Sequence, residues 1–241
     1  MLKVLKIKYE MMLRKLGGKF GLDLKMTDEE RFMLLIKHHN IDLIFDIGAN
    51  TGQYAEMLFS LGYKGKIVSF EPLSDAYRAM KNKSERNPNW IAAEQCAIGE
   101  FDGEIDINIS ENSVSSSIMK VMDEHTKAEP SSRTTKQEKV KIHKLDTIAK
   151  QYTGSAKNLL IKIDTQGYED NVIEGAKETI KLCKGMQVEL SLVKLYEGQK
   201  LFDEMVKKIT SLGFSLQQVE PSFTDKNSGK MLQVDGIFFR D

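Results

Sequence analysis

One short segment contains the residue types that a nucleotide-like ligand requires. Residues 46–53 read DIGANTGQ, with an acidic residue at Asp46 and glycines at Gly48 and Gly52. Such glycines let the chain turn tightly from a strand into a helix and leave backbone amides facing a ligand. A glycine pair alone is weak evidence, because any tight strand-to-helix turn can use one.

A second acidic residue, Glu71, follows at the end of the next apolar run. An acidic side chain at this place accepts hydrogen bonds from the hydroxyl groups of a ribose. The two features together predict a nucleoside-bearing cofactor, either NAD or S-adenosylmethionine. An NAD site has glycine at the place of Asn50, where a pyrophosphate approaches most closely. Asp46 can bind the ammonium group of a methionine moiety. The residues therefore favour S-adenosylmethionine and methyl transfer, with an NAD-dependent dehydrogenase as the alternative.

Two carboxylates are candidates for catalysis. Asp164 ends a predicted strand and Glu189 lies in the following one, so both are expected to face the crevice at the carboxyl ends of the strands. A hydroxyl attacks a methyl donor more easily as it loses its proton, and a general base typically contributes about 10²- to 10⁴-fold. We predict that Asp164 orients or deprotonates the acceptor hydroxyl and that Glu189 helps to bind a polyol. Capping of the next helix is the alternative role of Asp164.

Further residues are predicted to contact the acceptor. Gln166 and Glu169 follow Asp164 closely, although interaction with a helix dipole is the more ordinary role of Glu169. Ser116 and His125 lie in the serine-rich stretch from 110 to 140, which we predict to be a mobile loop that covers the substrate. Solvent exposure is the more ordinary state of a loop histidine. No tight spacing of metal ligands occurs, so no metal is predicted.

The elements that must position these residues alternate between short apolar runs and helical patterns. The predicted strands are 43–47, 66–70, 90–98, 159–163, 186–193, 214–219 and 232–239. The last two runs are joined by a turn-rich segment without room for a crossover helix, so they should pair antiparallel. The pattern predicts an α/β fold: a doubly wound, mostly parallel seven-stranded sheet with an antiparallel C-terminal hairpin.

Charge and composition restrict the class of protein. Across 241 residues, 35 basic residues balance 35 acidic ones, which argues against a nucleic-acid binder that acts by bulk attraction. Two distant cysteines, Cys96 and Cys183, provide no disulfide framework and agree with a cytoplasmic location. No apolar run is long enough to span a membrane.

The N-terminal part differs from the rest in charge. Residues 1–40 are predicted to form a basic amphipathic helical segment, and 41–241 the main domain with a lid-like insertion at about 103–144. Residues 1–25 carry seven lysine and arginine residues against two acidic ones. Packing on its own domain is the favoured role of this helix. Weak contact between residues 1–20 and an anionic membrane surface is the alternative, and a non-catalytic, membrane-docked binding module would use it.

In order and spacing, several motifs resemble those of the FkbM family of S-adenosylmethionine-dependent methyltransferases. The similarity runs from about residue 41 to the C-terminus. It includes FDIGANTGQY (45–54), SFEP (69–72), CAIG (96–99), KIDTQGYE (162–169), VELS (188–191) and VDGIFFR (234–240). The resemblance implies a Rossmann-like class I methyltransferase fold. It also implies O-methylation of a hydroxyl on a sugar, glycan or related small metabolite.

The resemblance assigns cofactor contacts as well. It implies that the methionine side of S-adenosylmethionine is held by the glycine turn, the ribose by Glu71, and the adenine by residues after the third strand. Gln53 and Pro72 belong to the same two motifs and are included among the predicted cofactor residues. The cofactor residues so predicted are Asp46, Gly48, Asn50, Gly52, Gln53, Glu71, Pro72, Cys96 and Ala97.

Overall fold

A seven-stranded sheet forms the centre of the computed structural model, which describes residues 26–240. Its strands are β1 (Leu43–Ile47), β2 (Lys66–Phe70), β3 (Trp90–Ala92), β7 (Leu159–Ile163), β8 (Cys183–Ser191), β9 (Ser215–Pro221) and β10 (Gln233–Phe239). Their order is β3-β2-β1-β7-β8-β10-β9. Strands β3, β2, β1, β7 and β8 pair in parallel, whereas β10 pairs antiparallel with β8 and with β9. The predicted doubly wound sheet with a C-terminal hairpin is confirmed.

Both faces of this sheet are covered. Successive residues of β1 belong to different apolar clusters: Leu43 and Phe45 pack in one cluster and Ile44 in the other. Side chains alternate across a strand, so a strand buried on both faces is apolar along its length. The largely apolar character of β1 and β7 has this cause, and the exceptions are Asp46 and Lys162, which lie opposite each other in the two strands.

Helices lie between the strands along the chain. They are α1 (Asp28–His38), α2 (Gln53–Ser60), α3 (Ser74–Ser84), α4 (Asp123–Ala128), α5 (Leu145–Ile148), α6 (Lys150–Thr153), α7 (Glu169–Glu174), α8 (Lys177–Lys181) and α9 (Phe202–Ser211). The helical stretch after β7 is divided into two short helices, α7 and α8. The break falls at Gly175, where an added Cβ would lie 1.7 Å from the carbonyl oxygen of Gly99.

The helix α1 packs onto the domain. Thr27 and Glu30 form a capping box at its start, and Phe32 and Ile36 join the apolar cluster on one face of the sheet. The basic stretch of residues 1–25 lies outside the described residues. Within residues 26–240, no helix is long and apolar enough to cross a membrane.

The insertion forms a second, three-stranded sheet. Its strands are β4 (Ala97–Ile98), β5 (Gly103–Ser110) and β6 (Thr134–His143), in the order β4-β6-β5. The predicted strand 90–98 is thus two strands in different sheets. The stretch from 110 to 140, predicted to be a mobile loop, contains α4, a 3-10 turn and most of β6, so it has more regular structure than a loop. The polar start of β6 is held by backbone pairing with β5 and by charges that face across the strands, such as Asp106 opposite Lys139.

Candidate active site

The glycine turn after β1 brings three strand ends together. Gly48, Asn50 and Gly52 all have positive φ angles, of 77°, 48° and 84°. The backbone N–H groups of Gly48 and Ala49 donate to the carbonyl oxygen of Phe70 at 3.1 Å. A Cβ on Gly48 would lie 1.8 Å from the carbonyl oxygen of Asp164. The ends of β1, β2 and β7 therefore meet at a turn that only glycine can form at position 48.

A cavity opens at these strand ends. It encloses about 670 Å³, including its open mouth. Many of the residues predicted from the sequence line it: Gly48, Asn50, Glu71, Pro72, Cys96, Ala97, Ser116, Asp164 and Gln166. Within residues 26–240, the cavity lining includes the carboxylates of Glu71 and Asp164 but no lysine, arginine or histidine. The cavity is therefore acidic and suited to a neutral or cationic ligand.

Glu71 stands at the carboxyl end of β2 with both oxygens bound to backbone amides. Its Oε2 accepts from the N–H of Asn50 at 2.7 Å, and its Oε1 accepts from the N–H of Leu73 at 2.9 Å. Burial raises the pKa of Glu71 to about 7, although the two backbone N–H groups act in the opposite direction. Each oxygen keeps a second lone pair, so the carboxylate can still accept hydrogen bonds from a ligand.

Asp46 does not line the cavity. Its side chain is fully buried, where Oδ2 accepts from the Ser69 hydroxyl at 3.0 Å and Oδ1 lies 3.2 Å from Nζ of Lys162. The structure therefore places Asp46 beside a lysine of the protein and outside the cavity lining, and its contact with a ligand ammonium group stays a prediction.

Lys162 is the residue that the sequence interpretation missed. Its Nζ donates to the carbonyl oxygen of Gly48 at 3.1 Å and lies 3.4 Å from Oδ2 of Asp164. Burial alone would lower the pKa of Lys162, but the carboxylates of Asp46 and Asp164 raise it above its ordinary value. A lysine in the middle of an otherwise apolar strand was the available signal. It ties the turn after β1 to the acid at the end of β7.

Asp164 and Gln166 form another part of the cavity wall. The Asp164 side chain is 36% exposed, and its Oδ1 accepts from Nε2 of Gln166 at 2.8 Å. The same Nε2 donates to Oε2 of Glu189 at 2.9 Å. Asp164 is thus held in orientation while part of its carboxylate faces the cavity.

Glu189 and Glu169 lie behind this wall and do not line the cavity. Glu189 is buried and accepts from Nε2 of Gln233 at 2.7 Å and from the Ser222 hydroxyl at 3.3 Å. Burial, together with Asp164 and Glu169, raises its pKa. Glu169 accepts from the backbone N–H groups of Thr165 and Gly167, and burial raises its pKa to about 7. The structure therefore places both glutamates outside the cavity lining, where they hold Gln166 and the loop after β7.

His125, Gly52 and Gln53 are also absent from the lining. His125 is buried in α4 against the rings of Tyr196 and Phe223, and burial lowers its pKa to about 4. Gly52 packs against Trp90, and Gln53 is exposed at the start of α2. Gly52 and Gln53 were assigned to the site by the family resemblance and His125 by its place in the predicted lid, but none of the three lines the cavity. Residues 26–240 contain no group of three or more His, Cys, Asp or Glu residues placed to hold a metal ion.

The sheet order, its single antiparallel strand β10, and a cavity at the carboxyl ends of β1, β2 and β7 define the Rossmann-like fold of class I methyltransferases. A family model described as "Methyltransferase FkbM domain" matches residues 46–216. The chain belongs to this family.

The chain is also similar to individual proteins. The chain is 30% identical over 165 residues to the 2-O-methyltransferase NoeI of Sinorhizobium fredii, covering 65% of this chain and 66% of NoeI. A crystal structure of methyltransferase FkbM from Methylobacillus flagellatus KT aligns with a TM-score of 0.49 at 14% identity, over 82% of this chain and 44% of that one. Magnesium protoporphyrin IX methyltransferase from Synechocystis, solved with bound SAM, aligns with a TM-score of 0.48 at 8% identity, over 96% and 97% of the two chains.

Proposed function

We propose that the protein is an S-adenosylmethionine-dependent O-methyltransferase that acts on a hydroxyl of a sugar, glycan or related small metabolite. One observation carries this proposal: a single cavity joins Glu71, bound to the amide of Asn50, to the partly exposed carboxylate of Asp164. Membership of the FkbM family supports methyl transfer. The name of the relative NoeI, a 2-O-methyltransferase, supports oxygen as the acceptor atom.

The residues present fit the proposed cofactor. Glu71 offers free lone pairs to ribose hydroxyls, and the apolar side chains of Phe70, Leu73 and Ile98 line the same cavity and suit a planar base. Cys96 and Ala97 line that part of the cavity as well. When bound, S-adenosylmethionine supplies a methyl group on a positively charged sulfur. The acidic lining favours such a cation and disfavours the pyrophosphate of NAD, so charge supports the methyl donor over the dehydrogenase cofactor.

On this proposal Asp164 acts on the acceptor hydroxyl. Lys162 and Gln166 fix the orientation of its carboxylate from two sides, and each carboxylate oxygen has two lone pairs. A hydroxyl in the cavity can therefore donate a hydrogen bond to Asp164 and transfer its proton there as the methyl group arrives. Holding the acceptor oxygen in line with the donor lowers the barrier further.

The rest of this wall suits a polyol. Gln166, Ser116 and Ser117 line it beside Asp164 and offer hydroxyl and amide groups. Within the described residues, the cation paired with Asp164 is the buried Lys162, which is shared with a second, buried carboxylate and does not line the cavity. An acceptor with phosphate or carboxylate groups near the reacting hydroxyl would therefore be repelled by Asp164. These features support a neutral sugar-like acceptor.

Transfer of a labelled methyl group tests the proposal. The protein is incubated with S-adenosylmethionine that carries a radiolabelled methyl group and with a panel of neutral saccharides, hydroxylated metabolites and matched amines. Label is expected in an acid- and base-stable ether of a hydroxylated compound. In Asp164→Asn the turnover should fall by about 10²- to 10⁴-fold, while S-adenosylhomocysteine affinity stays unchanged. Label confined to amines would contradict O-transfer, and wild-type turnover in Asp164→Asn would remove Asp164 from the reaction.

A further inference from the structure

Gln166 forms more hydrogen bonds around the cavity than its predicted role of contacting the acceptor requires. Its φ angle is +54°, a strained value for a residue other than glycine. Its Nε2 donates to Asp164 at 2.8 Å and to Glu189 at 2.9 Å. Two carboxylates thus hold the amide nitrogen, and the amide oxygen must face the opposite way.

That amide oxygen faces Tyr196. The Tyr196 hydroxyl lies 2.9 Å from Oε1 of Gln166 and 3.0 Å from the carbonyl oxygen of Ser115. Both neighbours are acceptors, whereas a phenol has one proton to donate. The hydroxyl therefore shares one proton between the loop after β7 and the serine-rich segment of the insertion.

This serine segment, residues 113–118, forms part of the cavity wall. A second bond ties it to the same residue, because the Ser117 hydroxyl donates to the carbonyl oxygen of Gln166 at 2.6 Å. Gly167 allows the close approach of Tyr196, since an added Cβ there would lie 2.8 Å from Cβ of the tyrosine. Gln166 is thus the common anchor of the segment and of Asp164.

We propose that Gln166 and Tyr196 are positioning residues that couple the serine segment to the orientation of Asp164. This inference rests on the proposed function in one respect, namely that Asp164 acts on the acceptor. When the segment lies on the cavity, Ser117 binds the Gln166 carbonyl and Tyr196 joins Ser115 to the Gln166 amide, so the backbone and the side chain of Gln166 are both held beside Asp164. When the segment lifts, the bonds of Ser117 and Ser115 break and the Gln166 backbone loses this support. Tyr196 then keeps a partner because its proton passes wholly to Gln166. The segment can therefore open without leaving the buried phenol unpaired.

Hydrogen exchange tests the coupling without any acceptor or donor. In Tyr196→Phe, the amides of residues 111–119 should exchange roughly tenfold faster than in wild type, because one tie of the segment is lost. Ser117→Ala removes the other tie and should act in the same direction. Tyr77→Phe is the matched control: its hydroxyl donates to the carbonyl oxygen of Ala93 at 2.9 Å, so the same kind of bond is lost away from the segment, and the exchange of 111–119 should stay as in wild type.

A kinetic measurement then separates positioning from a merely structural role. With a saccharide that the wild type methylates, Tyr196→Phe should lower kcat/KM for the acceptor by roughly tenfold, while the S-adenosylhomocysteine affinity remains that of wild type. The variant should remain folded but melt at a lower temperature, because two buried acceptors lose their donor. Unchanged exchange in a folded Tyr196→Phe overturns the inference. If that variant does not fold, unchanged exchange in Ser117→Ala does so.

Faster exchange with unchanged acceptor kinetics would overturn the link to Asp164. The proposed function fails in a different way, by absence of S-adenosylhomocysteine binding and of label transfer in the wild type.

Discussion

Lys162 explains how the carboxylates of Asp46 and Asp164 can lie close together beside the cavity. Its side chain is 9% exposed and contacts Asp46, which is fully buried, and Asp164, which reaches the cavity. A buried charge without a partner is costly, so a cation at this position is required by the acids around it. The lysine also binds the carbonyl oxygen of Gly48, so the same group holds the shape of the glycine turn.

Removal of the Lys162 charge should destabilise the fold strongly. Lys162→Met leaves Asp46 buried without its cation, and the free energy of unfolding, measured by urea denaturation, should fall by about 3 to 5 kcal/mol. Lys181→Met is the matched control, since Lys181 pairs with Glu178 at 2.6 Å on the surface, where the two side chains are 66% and 71% exposed. That change should cost less than about 1 kcal/mol. Equal losses in the two variants would show that Lys162 is not a structural cation.

The ionisation of Glu71 should control donor affinity near neutral pH. Burial raises its pKa to about 7, and the ionised form is the better acceptor for ribose hydroxyls. S-adenosylhomocysteine affinity, measured by calorimetry, should therefore weaken by about tenfold as the pH falls from 8 to 6. Glu71→Gln should bind about 1.5 to 3 kcal/mol more weakly at pH 8 and show little pH dependence. A flat wild-type profile would contradict a role for the carboxylate.

The positions of the acidic residues could be predicted from the sequence, but their hydrogen-bond and ion-pair partners could not. Glu71 and Asp164 were predictable because each ends an apolar strand, and strand ends meet at one edge of a parallel sheet. The burial of Asp46 by Lys162 was not predictable, because the two residues are far apart in sequence and face each other only through the pairing of β1 with β7. The same holds for Tyr196, whose hydroxyl finds Gln166 across the fold.

Among the elements, the turn between β1 and α2 tolerates few substitutions at Gly48. Gly48 has a positive φ and almost no space at its Cβ, whereas Gly62 has a φ of 97° and nothing within 4 Å. A comparison of substitutions at Gly48 and Gly62 therefore distinguishes the effect of backbone strain from the effect of steric crowding.

Alanine at these two glycines should have unequal effects. Gly62→Ala should cost about 1 to 2 kcal/mol, the strain of a left-handed residue. Gly48→Ala must also push back the carbonyl oxygen of Asp164, so the loss should exceed about 4 kcal/mol or abolish donor binding. Thermal unfolding and calorimetry measure both effects. Similar stability and donor affinity in the two variants would contradict the close contact of the strand ends.

The buried ring of His125 in α4 should make the stability of the protein depend on pH. The folded pKa of about 4 lies below the ordinary value of 6.5. The unfolded chain therefore binds a proton that the folded chain does not, and stability falls as the pH drops from 6.5 towards 4. Between pH 7 and pH 5 the wild type should lose about 2 kcal/mol in this way, and His125→Leu should remove most of that loss. Urea denaturation of both proteins at pH 7 and pH 5 measures the difference, and parallel pH profiles would contradict burial of the ring.

The insertion was the element that sequence patterns described least well. Its serines and the polar start of β6 carry no apolar periodicity, so they resemble a loop. The strand β6 instead forms by pairing with β5 over eight register positions, which is long-range information. Its role as a substrate-covering lid remains a prediction.

At the scale of the whole molecule, the fold was predictable because each central strand is buried on both faces. Such strands appear as continuous apolar runs, and their alternation with helical patterns fixes a parallel sheet. The short link between β9 and β10 fixed the antiparallel hairpin. The acceptor was not predictable, since its specificity depends on the cavity wall contributed by the insertion and not on the sheet.

Calorimetric titration of the whole protein with S-adenosylhomocysteine, and separately with NAD, is the most direct test of the cofactor assignment. The acidic cavity and the Glu71 carboxylate predict binding of S-adenosylhomocysteine with a dissociation constant in the micromolar range and no detectable binding of NAD. Binding of NAD without binding of S-adenosylhomocysteine would contradict the proposed methyltransferase function.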